Sequence, residues 1–240
     1  MLGPYVIRVF SHKGGVGKTT VAVNLAVSLG LMDYKVLLVD GDLVCPTVGF
    51  YFGIQSVNMG TRDVLYDRRL LKSSIVRDEK SGIDVLPAKL AADRVTTDMA
   101  VVLEAAKDTK PIEGYDFVVN DFAPGLDPGG ELKLYNDTLI VATPTMSSFS
   151  NLISISERCK KAKLDHHYVI NRVTNKKYEA STSEIETGYG EKALAILPED
   201  PAVPDSEGAN APVCTSHKNS PFSSSFKDLV KFYAAKRNAK

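Results

Sequence analysis

Two lysines bracket three glycines in the stretch SHKGGVGKTT, Ser11 to Thr20. Gly17, Lys18 and Thr19 complete the end of the pattern G-x-x-x-x-G-K-[ST], but His12 stands where the first glycine belongs and Lys13 follows at once. The chemistry of such a stretch is phosphate binding. In Gly14, Gly15, Val16 and Gly17 the glycines let the backbone turn tightly and aim N–H groups at phosphate oxygens, and a helix N-terminus adds positive potential. Lys18 is expected to reach the β- and γ-phosphates, the Thr19 hydroxyl to ligate Mg²⁺, and Thr20 to meet the α-phosphate. On its residue type alone, Lys13 is either a solvated lysine or a second charge for phosphate.

Three carboxylates accompany the loop. VDGDLVCPT places Asp40 and Asp42 two apart where an apolar run ends, and YDFVVNDFAPGL ends another run in Asp121, with Gly125 four residues on. In open α/β sheets the carboxyl ends of the strands face the ligand. Asp121 is therefore a candidate to hold Mg²⁺, usually through water, and the Gly125 N–H a candidate to sense the γ-phosphate. Asp40 either supports the shell of water around the metal or stiffens its loop, and an Asx-type turn is the alternative reading of both Asp40 and Asp42. Asn171-Arg172-Val173-Thr174 has no aspartate in the fourth place, as guanine-reading N-K-x-D needs, so the nucleotide expected is ATP. Asn171 also reads as a polar cap of a strand end.

The elements that must position these residues alternate. Apolar runs at Tyr5–Phe10, 35–40, 83–87, 116–121, 138–143, 167–171 and 193–197 are separated by polar or helical sequence. Helical period is present from Thr19 to Leu29 and at 61–67, 96–107, 148–163, 182–190 and 224–236. The pattern predicts an α/β fold, a single P-loop NTPase domain over 1–240 with a mostly parallel sheet of about seven strands and helices on both faces. Residues 199–225, with Pro201, Pro204, Pro212 and Pro221, read as loop-rich, as does the segment from Gly125 to Gly130.

The bulk numbers exclude several classes. At 240 residues and 44% hydrophobic the chain can bury a sizeable core, and 29 basic against 29 acidic residues give no overall field to collect nucleic acid or anionic lipid. Cys45, Cys159 and Cys214 include no C-x-x-C, which argues against a disulfide framework and against a zinc or iron–sulfur site. No window approaches the ~20 apolar residues that cross a bilayer, so the expected location is cytoplasmic.

KGGVGKTT resembles the deviant Walker A loop of the MinD/ParA family of P-loop ATPases, and the similarity extends through TRDVLYDRRLL, GIDVLPA, DTLIVATPTMSS and LPEDPAVPDSEGANAPV, closer to the MinD branch. The resemblance implies an ATP hydrolase that acts as an ATP-dependent dimerisation switch in spatial positioning, cell division or segregation. It implies that Lys13 reaches the phosphates of the partner's nucleotide in an ATP-bound homodimer and that Asp42 holds and helps activate the attacking water. It implies that Asn171, with Arg172 beside it, meets the adenine edge, and that Pro198, Glu199 and Asp200 shape the other side of that pocket. The second switch of the family commonly reads D-x-x-A-G. Here Pro124 precedes Gly125, and proline has no N–H to donate.

A protein activator of hydrolysis is expected. Bacterial relatives carry a further amphipathic helix; the stretch FKDLVKFYAAKRNAK at the end of this sequence is expected to pack on the domain, and any peripheral membrane contact to be weak and salt-sensitive. Nonspecific DNA binding would use Arg158, Lys160, Lys161 and Lys163 or the C-terminal cluster; a solvated helix face is the alternative reading. A ParA-type segregation ATPase and a nucleotide-binding scaffold with little hydrolysis are the alternative functions.

Overall fold

The structure is a computed structural model, and it describes residues 3–89, 114–125 and 135–239. Among these, eight strands form one sheet: β1 (Tyr5–Phe10), β2 (Val36–Gly41), β3 (Val76–Asp78), β4 (Ile83–Leu86), β5 (Phe117–Phe122), β6 (Asp137–Ala142), β7 (His166–Val173) and β8 (Ala195–Pro198). Their order is β3-β4-β2-β5-β1-β6-β7-β8, and every pairing is parallel except β3 with β4. Strands β1, β2, β5 and β6 are buried at every position. Sheet interiors covered on both faces favour such continuous apolar runs, which is why these strands read so clearly in the sequence.

One strand goes beyond the seven expected. β3 is three residues long, only partly buried and antiparallel at the sheet edge, so its side chains carry neither an apolar run nor a clear alternation. Helix α1 (Lys18–Gly30) and the C-terminal helix pack one face of the sheet, where Leu25, Leu29, Leu229 and Tyr233 meet Ile7 and Val9. On the other face α4 (Met146–Ala162) and α5 (Thr182–Tyr189) bring Leu152, Ile155 and Ile185 against Val6, Phe10 and Ile170. Each fully buried side chain of this size contributes roughly 1.5–3 kcal/mol. Between these pairs of helices the chain adds α2 (Thr61–Tyr66) and α3 (Leu71–Ser74).

The proline-rich stretch is a correction. Residues 199–225 contain α6 (Ala202–Gly208), α7 (Val213–Ser216) and α8 (Pro221–Ser224), which lead into α9 (Phe226–Asn238). Pro201 and Pro212 occupy N-cap positions and Pro221 the first helical position. Here proline's fixed φ suits a helix start and its missing N–H costs nothing, so these prolines begin helices and do not break them. The helix expected at 96–107 and the loop beyond Gly125 lie outside the described residues.

Arg8 is fully buried in the central strand β1. Its guanidinium carbon lies 3.9 Å from the centroid of the Phe10 ring and 5.8 Å from that of Tyr135. Asn120 and Thr138 stand beside it on the neighbouring strands, making a polar row across an otherwise apolar sheet.

Candidate functional site

The site lies where β1, β2 and β5 end. Register sets Asp121 of β5 opposite both Val9 of β1 and Asp40 of β2. The loop Ser11–Gly17 therefore crosses directly beside two buried carboxylates. Gly15 and Gly17 have φ of 76° and 90°, in the left-handed region that side chains avoid. No side chain caps α1 and no acid sits in its first turn. The contrast with α4, capped by Thr145, and α5, with a Ser181–Glu184 capping box, is informative. An uncapped helix start with free N–H groups is a ready anion site.

Lys18 is the first residue of α1 and only 8% exposed. Burial pushes its ammonium below the usual lysine range, partly offset by Asp121 and Asp42 nearby. The Thr19 hydroxyl is bonded to Asp121, and the Thr47 hydroxyl donates to Thr19 Oγ1 at 3.2 Å. Asp121 is pushed up to about 7 by burial, against the opposing pull of Thr19 and Lys18, and its Oδ1 is buried without a hydrogen-bond partner. An orphaned carboxylate oxygen beside two hydroxyls is an all-oxygen donor set, the kind that suits Mg²⁺. Among the described residues no cluster of three or more His, Cys, Asp or Glu could hold a metal. The set therefore fits an ion that takes one carboxylate and completes its shell with phosphate oxygens and water.

Asp40 takes the loop-stiffening role. Its Oδ1 accepts from the Asp42 N–H at 3.1 Å and its Oδ2 from the Val48 N–H at 3.2 Å, so both oxygens are engaged within its own segment. Burial, with Asp121 adding repulsion, pushes it up to about 8. Asp42, half-buried, accepts from Val44 N at 3.2 Å and Cys45 N at 2.9 Å through Oδ1, the Asx-type turn. Lys13 is exposed, and its Nζ donates to Ser147 Oγ at 3.2 Å, at the start of α4 and away from the cleft beside Lys18. The Gly125 N–H is bonded to Ser11 O at 3.4 Å, so in this conformation the end of the Asp121–Gly125 segment is held against the glycine-rich loop.

Two adjoining cavities open beside the loop. The first, about 320 Å³, is lined by Gly15, Gly17 to Thr20, Thr47, Tyr51 and Arg172. The second, about 140 Å³, lies between Asn171 and Arg172 on one side and Pro198, Glu199 and Asp200 on the other, and shares Thr20, Arg172 and Glu207 with the first. Arg172 sits at a β-bulge with φ of 60°, strained for a non-glycine residue, and its exposed side chain lies 4.0 Å from Glu199.

Asp200 lines the second cavity and also holds the backbone behind it. Its Oδ1 accepts from Ala202 N and its Oδ2 from Phe222 N, each at 2.9 Å, so it ties β8 to α6 and α8. Burial opposes its ionised form, but these N–H groups outweigh it and hold the carboxyl below its usual range. Thr47, Tyr51 and Glu207 had no signal in the sequence. Tyr51 bonds the Thr20 hydroxyl at 2.9 Å and the Glu207 carboxylate, joining the phosphate loop to α6.

Asn171 does more than line the second cavity. Its Nδ2 donates to Val16 O at 2.8 Å, and a Cβ on Gly17 would lie 2.3 Å from that nitrogen. The asparagine thus braces the phosphate loop. Asn171→Ala is expected to weaken binding of inorganic pyrophosphate, which has no base, by about tenfold, the worth of one such bond. Calorimetric titration checks this; unchanged pyrophosphate affinity would confine Asn171 to the base.

Residues 7–213 match the CobQ/CobB/MinD/ParA nucleotide binding domain family. An ATP-binding protein of Methanocaldococcus jannaschii is 31% identical over 237 residues, 95% of this chain and 88% of its own length. The Pyrococcus furiosus cell division ATPase MinD superposes with a TM-score of 0.84 at 27% identity, covering 98% of this chain and 99% of that one. The septum site-determining protein MinD of Pyrococcus horikoshii, solved with Mg-ADP, gives 0.82 at 26% identity and 96% coverage of both chains.

Proposed function

Because this chain belongs to the CobQ/CobB/MinD/ParA nucleotide-binding family of ATPases, in its MinD-like branch, we propose that it is an ATP-dependent dimerisation switch that hydrolyses ATP to ADP and phosphate. The observation that carries the reading is the uncapped start of α1, where Lys18, Thr19 and the orphaned Asp121 oxygen converge while Lys13 is directed outward.

Phosphoryl transfer is catalysed mainly by positioning and by charge. The loop N–H groups and Lys18 bind the phosphates and draw charge toward the β–γ bridge. Thr19 and Asp121, with Thr47 nearby, would hold Mg²⁺, which when bound would neutralise charge on the phosphates. Asp42 leaves its turn to orient a water in line with that bridge. The water oxygen bonds phosphorus as the bridge to ADP breaks, and one proton is released. Asn171, Arg172 and Pro198 hold the base, and Asp200 fixes the backbone behind it.

Lys13, exposed and clear of its own cleft, reaches the nucleotide of a second protomer. The switch works in spatial positioning or cell division, in the cytoplasm, and a protein partner stimulates turnover. Light scattering tests the core of this reading: the nucleotide-free chain is expected to be monomeric, and Asp42→Ala with Mg-ATP dimeric. A chain that stays monomeric with bound ATP would sink the dimer switch.

A further inference from the structure

The far end of α1 carries a second feature that phosphate chemistry does not use. A groove of about 310 Å³ lies between the C-terminal turn of α1 and the first turns of α9. Its floor is apolar, with Leu31, Met32, Phe226 and Val230. Leu31 and Met32 are 44% and 48% exposed, an unusual placement for two adjacent large apolar side chains. Three lysines, Lys218, Lys227 and Lys231, line the same groove, and no acid does.

The charge on this rim is available. Lys218 and Lys227 pair with no acid among the described residues, and Lys231 has only the exposed contact to Asp228 at 3.3 Å. Exposed pairs of that kind contribute little. Nearer the end of α9 the basic residues are engaged instead, Lys236 with Asp165 at 3.1 Å and Arg237 with Asp116 at 3.6 Å. The net basic character of the last helix is therefore concentrated at the groove. Lys227 and Lys231 are four residues apart and share one face of α9, with Val230 beside Lys231.

We propose that this groove is a docking site for an acidic amphipathic helix of a partner protein. An apolar groove takes the apolar stripe of a helix, and lysines on its rim select for glutamate or aspartate beside that stripe. A concave floor receives side chains, whereas a lipid surface is flat, and this favours a helix over a membrane as occupant. Helix α1 runs about 20 Å from Lys18 to this end, so the docked helix leaves the phosphate face free for a second protomer. The inference does not depend on ATP hydrolysis.

The test uses the full chain and two synthetic labelled peptides of about five helical turns, with the same leucine and phenylalanine stripe flanked by glutamate in one and lysine in the other. Fluorescence anisotropy is expected to show micromolar binding of the glutamate peptide and at least about tenfold weaker binding of the lysine peptide. Lys227→Glu and Met32→Glu are each expected to weaken the glutamate peptide at least about tenfold while a fluorescent ADP analogue still binds, which shows that the variants fold. Equal binding of both peptides, or of neither, overturns the proposal. So does sedimentation of the chain with phosphatidylserine–phosphatidylcholine vesicles that Met32→Glu abolishes, or a self-association that the same substitution abolishes.

Discussion

Asp121→Asn will cost the protein its chemistry and, in the nucleotide-free form at pH 8, make it more stable. Asp121 is fully buried and is pushed up to about 7, chiefly by burial. A carboxylate whose pKa is higher folded than unfolded stabilises the folded state most below its unfolded value of about 3.9, and that contribution is lost as pH rises through about 7. Over this window the loss is of order 4 kcal/mol at most. Asparagine does not titrate. Urea unfolding should therefore show the variant equal to the parent chain near pH 4 and about 1–4 kcal/mol more stable at pH 8.

The functional loss has the same cause. The orphaned Oδ1 is a charge held ready for a cation, and an amide in its place supplies a weaker donor with no charge. Turnover with Mg-ATP is expected to fall by about 10²- to 10³-fold. In the parent chain, Mg-nucleotide affinity should rise with pH below about 7, because binding must displace the Asp121 proton. A variant that is less stable at pH 8 would mean that Asp121 supports the fold and is not strained for function.

How much of this was legible in advance depends on how local the cause is. The loop, its strand and its helix are set by neighbours in sequence, so Gly15, Gly17, Lys18 and Thr19 stand where the motif puts them. Asp40 and Asp121 were found as strand ends, but that both oxygens of Asp40 go to its own loop depends on how residues 42–48 fold back. Asp200 shows the same limit. The resemblance implies a place at the pocket, and Asp200 does line the second cavity, but its hydrogen bonds to Ala202 and Phe222, the second 22 residues away, carry no local signature. Tyr51 and Glu207 meet across 156 residues and carry no local signature at all. The proline-rich segment failed for another reason: proline marks a helix start as readily as a loop, and only position decides.

Lys13→Ala will leave ATP binding within about threefold and lower turnover by about 10²- to 10³-fold, the usual cost of one charge placed on the transferring group. The asymmetry follows from geometry. Lys18 is buried within the cleft, so its loss must weaken binding; Lys13 is exposed and its Nζ rests on Ser147 outside that cleft. A lysine that its own nucleotide does not need is free to serve another. The decisive measurement mixes two inactive chains. In a two-fold dimer of Lys13→Ala with Asp42→Ala, one site keeps its own Asp42 and receives Lys13 from the neighbour, while the other site lacks both. Equimolar mixing makes about half of the dimers mixed, each with one intact site, so activity should return to roughly a quarter of the parent value. If Lys13 acts within its own chain, no dimer contains an intact site and mixing restores nothing, which would return the residue to the role of a solvated lysine beside a phosphate loop.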